Sequence, residues 1–328
     1  MTFLHFTAGI DDSSRRLDKV LRRFLSEESL SSLYKSLRKG LVKVNGKKCD
    51  GSYRLCEGDD IQVAQFLAGK IIGSQRENDK PAKKTEDSLI ILKTKQLLFL
   101  NKPYDISVQP SSSSKGNSLS ELVQGEYESY HKNSSLSFRT GPLHRLDRKT
   151  TGIIAFSQNL EGAKWFSEAI KNHRIQKIYL AILQGHLKEN QLWEDFIEKR
   201  SDSRQFARSS FHTVQVASEN GKIAHTEVFP LSYGIFEGSK ITLARILIKT
   251  GRTHQIRSQA AFHGFPLLGD TAYGGKKLDS KKYGQDFFLH ASELHFPENN
   301  PFELPKVLKA PPPENLRKII SSDIFQRQ

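Results

Sequence analysis

From Leu97 onward the chain is dominated by short apolar runs of strand length, and this limits its architecture more than any other feature. Leu97 to Leu100, Ile153 to Phe156, Ile178 to Leu183, Ala224 to Phe229 and Ile241 to Lys249 all read as strands. Only two stretches there carry a clear helical spacing. They are Glu161 to Lys171, with Ala163, Phe166, Ala169 and Ile170 apolar, and Thr253 to Phe262. Strands alternating with helices would specify a parallel sheet; this pattern specifies an α+β fold on a predominantly antiparallel, mixed sheet. No internal repeat is present.

A smaller unit precedes it. Leu17, Val20, Leu21, Phe24 and Leu25 fall on one helix face, and Leu30, Leu33 and Leu37 repeat the device in a second short helix. Gly40 is a helix stop, "LVKVNGKKC" alternates around a turn at Asn45-Gly46, and "GDDIQV" supplies another strand. Between Arg15 and Lys48 there are eleven Lys or Arg against the three acids Asp18, Glu27 and Glu28. Arg22, Arg23, Lys35, Arg38, Lys39 and Lys43 are either a phosphate-contacting face or a solvated basic surface. The expected organisation is a basic module at 13–66, a polar, charged linker at 67–87 and a larger domain at 88–328.

The 328 residues carry 50 Lys+Arg against 36 Asp+Glu, a net charge of +14, which favours a polyanionic partner and nucleic acid first. No run of about 18 apolar residues is available for a membrane span, and the start lacks the order of a secretion signal. A cytoplasmic protein is expected. Cys49 and Cys56 have no further Cys with which to build a metal site and are expected to be small buried residues. The eleven His show no ligand spacing, so no metal is expected. Neither GxxxxGK[ST] nor GxGxxG occurs, so no nucleotide cofactor is expected either.

Four stretches carry the chemistry. In "HRLDRKTTG", Asp147 stands between Arg145 and Arg148 just before the Ile153 strand. This is either an ordinary surface ion pair or a carboxylate kept ionised, since adjacent Arg charges pull an Asp pKa down by about 1 to 3. In "KIYLAILQG", period two puts Lys177, Tyr179 and Ala181 on one strand face; Tyr179 is either ligand-facing or packed at a sheet edge. "KTGRTHQIRSQAAFHGFPLLGDTAYGG" brings Arg252, His254 and Arg257 to a helix start, and "LFLNKP" sets Asn101, Lys102 and Pro103 at a strand end.

"HRLDRKTTG", "KIYLAILQG" and "GRTHQIRSQAAFHGFPLLGDTAYG", in that order and behind "LFLNKP", resemble the RluA-type pseudouridine synthases, over essentially the whole chain. "RLDKVLRRFL", "RKGLVKVNGKK" and "GDDIQV" resemble the S-four type of RNA-binding module. The resemblance implies an isomerase without cofactor. A uridine base in RNA is detached from the ribose anomeric carbon, turned and rejoined through carbon 5, beside a base extruded from its stack. It implies that Asp147 is the essential carboxylate, that Arg257 pairs with it, and that Tyr179 lies against the base. Arg145 would hold the nucleotide or fill its place, with Arg252, His254 and Lys102 also binding substrate. His144 would support the loop. Attack by Asp147 on carbon 6, attack on the ribose, and a glycal route all remain open.

Here Thr151 stands where the family commonly has Ser, and Gln109 where His is frequent. The Ser-rich segment 111–136 is expected to be a loop. The expected substrate is large-subunit ribosomal RNA, acted on by a monomer. Two other readings are a catalytically silent RNA-binding or ribosome-assembly factor, which an intact Asp147, Tyr179 and Arg257 argue against, and a uracil-releasing hydrolase, which lacks the usual carboxylate pair in these motifs. The target uridine is not encoded in the chain.

Overall fold

A computed structural model describes residues 1–25, 28–67, 85–110, 118–131, 135–199, 214–217 and 221–327. Most of the expected linker at 67–87 lies outside the described residues.

The small module begins with strand β1 (Phe3–Thr7), ahead of position 13, followed by α1 (Leu17–Phe24), α2 (Leu30–Lys39), β2 (Val42–Val44), β3 (Lys47–Lys48) and β4 (Asp60–Ala64). Its sheet runs β1-β4-β2-β3. Leu17, Val20 and Leu21 of α1 and Leu33 and Leu37 of α2 are buried against Val42, Val44, Ile61 and Val63. Gly40 ends α2 at φ 70, and the β2–β3 turn takes Asn45 and Gly46 at φ 49 and 76, the mirror-image turn that suits strand twist. Cys56 is exposed and Cys49 half-buried, both as free thiols, which corrects the expectation of two buried residues. Cys56 sits in the turn before Asp59, outside the module's apolar face.

Among the described residues the larger sheet has eleven strands. Its elements are β5 (Ile90–Lys93), β6 (Leu97–Lys102), α3 (Leu119–Tyr130), β7 (Thr151–Ser157), α4 (Leu160–Lys171), β8 (Gln176–Gln184), β9 (Gln191–Lys199), β10 (Val214–Ala217), β11 (Lys222–Phe236), β12 (Ser239–Ile248), α5 (Gln255–Phe262), α6 (Ser280–Tyr283), β13 (Leu289–His295), β14 (Val307–Lys309), α7 (Glu314–Ile320) and β15 (Phe325–Arg327). The strand order is β10-β9-β11-β12-β8-β13-β7-β6-β5, with β14 beside β13 and β15 beside β11. Every pairing is antiparallel except β13 with β7, so the architecture is α+β on a mixed, mostly antiparallel sheet.

Alternation sends Leu98, Leu100, Ile154, Phe156, Tyr179 and Ala181 to one sheet face and Leu97, Phe99, Ile153 and Ala155 to the other. Helix α4 covers the second face with Phe166 and Ala169, and α5 packs Ile256 and Ala260 on the first. Each large side chain so enclosed contributes about 1.5 to 3 kcal/mol. The segment 111–136 is not simply a loop: it holds the twelve-residue α3, started by a capping box in which Ser118 and Glu121 bond each other's backbone N–H.

One row of paired residues sets up the site. Gly152, Ala291, Tyr179 and Ile246 stand opposite one another across β7, β13, β8 and β12. Gly152 has φ 109, and a Cβ there would lie 2.2 Å from the Ala291 carbonyl oxygen, so only glycine brings β7 this close.

Candidate active site

The Asp147 loop enters β7 beside this row, Tyr179 stands on it in an interior strand, and the chain leaving β12 turns into α5 over the same face. The sheet-edge alternative for Tyr179 is therefore excluded. These segments enclose a cavity of about 810 Å³, whose walls include Arg145, Asp147, Tyr179, Arg252, His254 and Arg257. Six of the seven predicted substrate-facing or catalytic residues thus meet in one place.

Lys102 does not join them. It is fully buried, and its Nζ donates to the carbonyls of Pro103, Ile106 and Arg148 at 2.9, 2.8 and 2.8 Å. Burial lowers its pKa to about 7, opposed first by Asp147. A substrate-binding role is corrected to an internal one: Lys102 ties the residue after Asp147 to the strand end that Pro103 terminates. The reason is geometric, since the strand end turns inward beneath the loop.

Of the two arginines beside Asp147 in sequence, one turns away, while the expected Arg257 does approach it. Arg148 points away to Asp105 at 2.9 Å, as an exposed surface pair. The side-chain nitrogens nearest the carboxylate are His254 Nε2 and Arg257 Nη1, each 3.8 Å from Oδ2. Arg257 is not bidentate to Asp147. Its Nε and Nη2 donate to the two oxygens of buried Asp270 at 2.6 and 2.8 Å. Its guanidinium lies 4.9 Å from the Tyr273 ring and 4.7 Å from that of Phe287. Burial is the largest influence on the Arg257 pKa and lowers it, but the hydrogen bonds and charge of Asp270, together with the charge of Asp147, more than offset it and the net direction is upward. One nitrogen, Nη1, is left to face Asp147.

Asp270 and Tyr273 were given no role from sequence, although both lie in the motif that contains Arg257. The turn that delivers Asp270 depends on Gly269, at φ 93, where a Cβ would lie 1.8 Å from the Asp286 carbonyl oxygen. A glycine next to an acid, shortly after a helix that begins with cations, was the available signal.

His254 sits at the start of α5 with φ 52, an unfavourable left-handed conformation for a residue with a Cβ. Its Nδ1 is 2.8 Å from the Tyr273 hydroxyl, and burial lowers its pKa, opposed by Asp147. Gln255 fixes the preceding turn, its Oε1 accepting from the Thr250 hydroxyl and from Arg252 N–H. Arg252 donates its Nε to the Ile223 carbonyl at 3.1 Å. Tyr179 is buried, and burial followed by the charge of Asp147 pushes its pKa far up, so the phenol stays protonated. Lys177 lines the cavity as well, its pKa lowered to about 8 by burial and by Arg252.

His144 accepts a hydrogen bond from Ala155 N–H through Nε2, and burial lowers its pKa to about 3. A neutral imidazole here supports the loop. A second carboxylate does line the cavity: Glu194, half-exposed and 2.7 Å from His225 Nδ1. A solvated, His-paired carboxylate is a poor desolvated acid for glycoside hydrolysis.

On the module, Arg22, Arg23, Lys35, Arg38 and Lys39 are exposed, and Lys43 is half-buried with its Nζ 4.8 Å from the Phe3 ring centre. Arg23 also donates to the Ser137 carbonyl at 3.0 Å, so part of its fork faces the larger domain.

A basic module, together with a cavity that has cationic walls, an enclosed carboxylate and a protonated phenol, suits an enzyme that acts on a polyanionic substrate such as nucleic acid. Residues 96–262 match the RNA pseudouridylate synthase family and residues 15–61 match the S4 domain. The chain belongs to the RNA pseudouridylate synthase family. It is 27% identical over 321 residues to ribosomal large subunit pseudouridine synthase C of Vibrio vulnificus (strain CMCP6), covering 95% of this chain and 94% of that protein. The protein of the same description from Escherichia coli O6:H1 is also 27% identical, over 94% of this chain and 93% of its own. Human RNA Pseudouridylate Synthase Domain Containing 1 shares the fold with a TM-score of 0.53 at 22% identity, covering 73% of this chain and 88% of that one.

Proposed function

We propose that this pseudouridine synthase isomerises uridine within large-subunit ribosomal RNA, with Asp147 as the reacting carboxylate. The supporting observation is the convergence of Asp147, Tyr179, His254 and Arg257 on one cavity, beside cations suited to phosphates. The bond from N1 of the base to the ribose anomeric carbon breaks, a bond from C5 forms, the C5 proton leaves and N1 gains one. No atom is added and no cofactor is needed.

In this reading Arg257 aims its Nη1 at the Asp147 carboxyl group, while Asp270 and Tyr273 hold Arg257 in that orientation. Tyr179, neutral at physiological pH, lies against the uracil ring and moves a proton. Arg145, exposed at the cavity rim, holds the extruded nucleotide or occupies the gap it leaves. Arg252, His254 and Lys177 contact the backbone and ribose. The basic residues of the module hold a structured part of the same RNA.

The large-subunit assignment rests on the descriptions of the Vibrio and Escherichia relatives, which align over nearly the full length. We further propose action as a cytoplasmic monomer; among the described residues no helix is long and apolar enough to cross a membrane. The test is a pseudouridine map of ribosomal RNA with and without the gene. Positions lost on deletion and restored by the wild-type gene support the reading, and an unchanged map refutes the substrate.

A further inference from the structure

Residues 135–137, at the end of the Ser-rich stretch, fasten the small module to the larger domain. Asp12, fully buried in the turn before α1, accepts five hydrogen bonds. Four come from the larger domain: Ser135 Oγ at 2.9 Å, Ser137 N–H at 3.1 Å and Ser137 Oγ at 2.5 Å reach Oδ1, and Leu136 N–H at 2.8 Å reaches Oδ2. The fifth is Gly9 N–H at 3.1 Å. Both carboxyl oxygens are thus fully engaged, three donors converging on Oδ1 and two on Oδ2.

Other contacts surround this one. Arg15 Nη1 donates to Ser137 Oγ at 2.5 Å, and Leu136 packs its side chain against the module's core. Asp11 accepts from Leu160 N–H at 2.8 Å, which puts a carboxylate on the positive end of α4. The module is therefore fixed at two points. Both adjoin the strand that follows Asp147, for Gly141 and Leu143 hydrogen-bond to Ser157 and Ala155 of β7, and α4 follows β7 directly.

We propose that Asp12 is a specificity-determining residue, which locks the module at one distance and angle from the active site. The two RNA contacts then act as a rigid gauge: a uridine is modified only when it lies at the right spacing from the structure held by the module. A module held only by a flexible linker would accept a range of spacings and would lose effective concentration at the cavity. The proposal rests on the RNA-modifying reading above, with the module as a second RNA contact. Asp12 itself touches neither RNA nor the reacting atoms.

The test uses the full chain with Cys49→Ser, spin labels on native Cys56 and on an introduced Lys188→Cys, and the variants Asp12→Ala and Ser137→Ala. Wild type should give one narrow distance distribution, and both variants a broad one. On ribosomal RNA extracted from the gene-deleted host, the variants should keep their kcat at saturation but raise KM about tenfold. They should also modify uridines that wild type leaves alone. A distribution that stays narrow in both variants overturns the lock, and unchanged site choice despite broadening overturns the gauge. If Asp12→Ala fails to fold, Asp12→Asn, which keeps the size but exchanges one acceptor oxygen for an NH₂ group that cannot accept from these donors, decides the matter in its place. If wild type modifies nothing in that RNA, the substrate assignment fails, while the distance measurement still decides whether the module is locked.

Discussion

Arg257 gives two of its three nitrogens to Asp270 and leaves the third 3.8 Å from Asp147. The guanidinium that faces Asp147 is thus aimed by a second carboxylate, one whose side chain is only 2% exposed. Asp270→Asn keeps the shape and removes the charge. The expected result is a loss of about 3 to 5 kcal/mol in stability from breaking a buried pair, with kcat falling far more than KM. Thermal unfolding and steady-state kinetics check both; wild-type kcat in a folded variant would show that Asp270 does not position Arg257.

Lys102→Met leaves three carbonyls around the Asp147 loop without a donor. The expected cost is about 3 kcal/mol or more, together with reduced kcat and little change in RNA affinity. If binding fell while stability held, Lys102 would be a substrate contact after all.

Lys177 gives the site a pH dependence. Its ammonium, with a pKa lowered to about 8, is lost as pH rises through that value, so KM for RNA should rise above it while kcat stays level. Lys177→Met should have a high KM that no longer varies there. The stability effect has a definite sign: between about 8 and 10.5 the folded state binds fewer protons than the unfolded state, so this residue's contribution favours folding more as pH rises. Equilibrium unfolding of both forms across that range measures it.

Lys35, Arg38 and Lys39 are exposed on α2. Replacing all three with Ala should weaken RNA binding uniformly across sequences. The slope of log affinity against log salt should fall by about three, one for each phosphate that is no longer neutralised. An unchanged slope would mean that this face does not touch RNA.

Much of this was legible in the sequence because local patterns carried it. The strand runs, the apolar stripe of α1, the left-handed Gly40 and the Asn45-Gly46 turn are each fixed by nearest-neighbour geometry. Helix α3 was missed because its apolar residues are sparse; the Ser118 and Glu121 capping signature was the available clue. The motifs also named the residues that meet in the cavity. They could not say which cation pairs with which acid, because that depends on how strands far apart in sequence come together. Arg148, adjacent to Asp147, turns out to Asp105, while Arg257 arrives from α5 and is already held by Asp270. The inward turn of Lys102 and the enclosure of Asp12 by Ser135 to Ser137 are likewise products of packing.

The central claim is that Asp147 performs the isomerisation, and Asp147→Asn tests it most directly because it removes the charge and keeps the size. The measurement is pseudouridine formed in ribosomal RNA from the gene-deleted host, with RNA affinity and free uracil followed in parallel. The account predicts no pseudouridine with the variant, RNA binding near wild type, and no uracil released by either form. Pseudouridine produced by Asp147→Asn at a rate near wild type would contradict it.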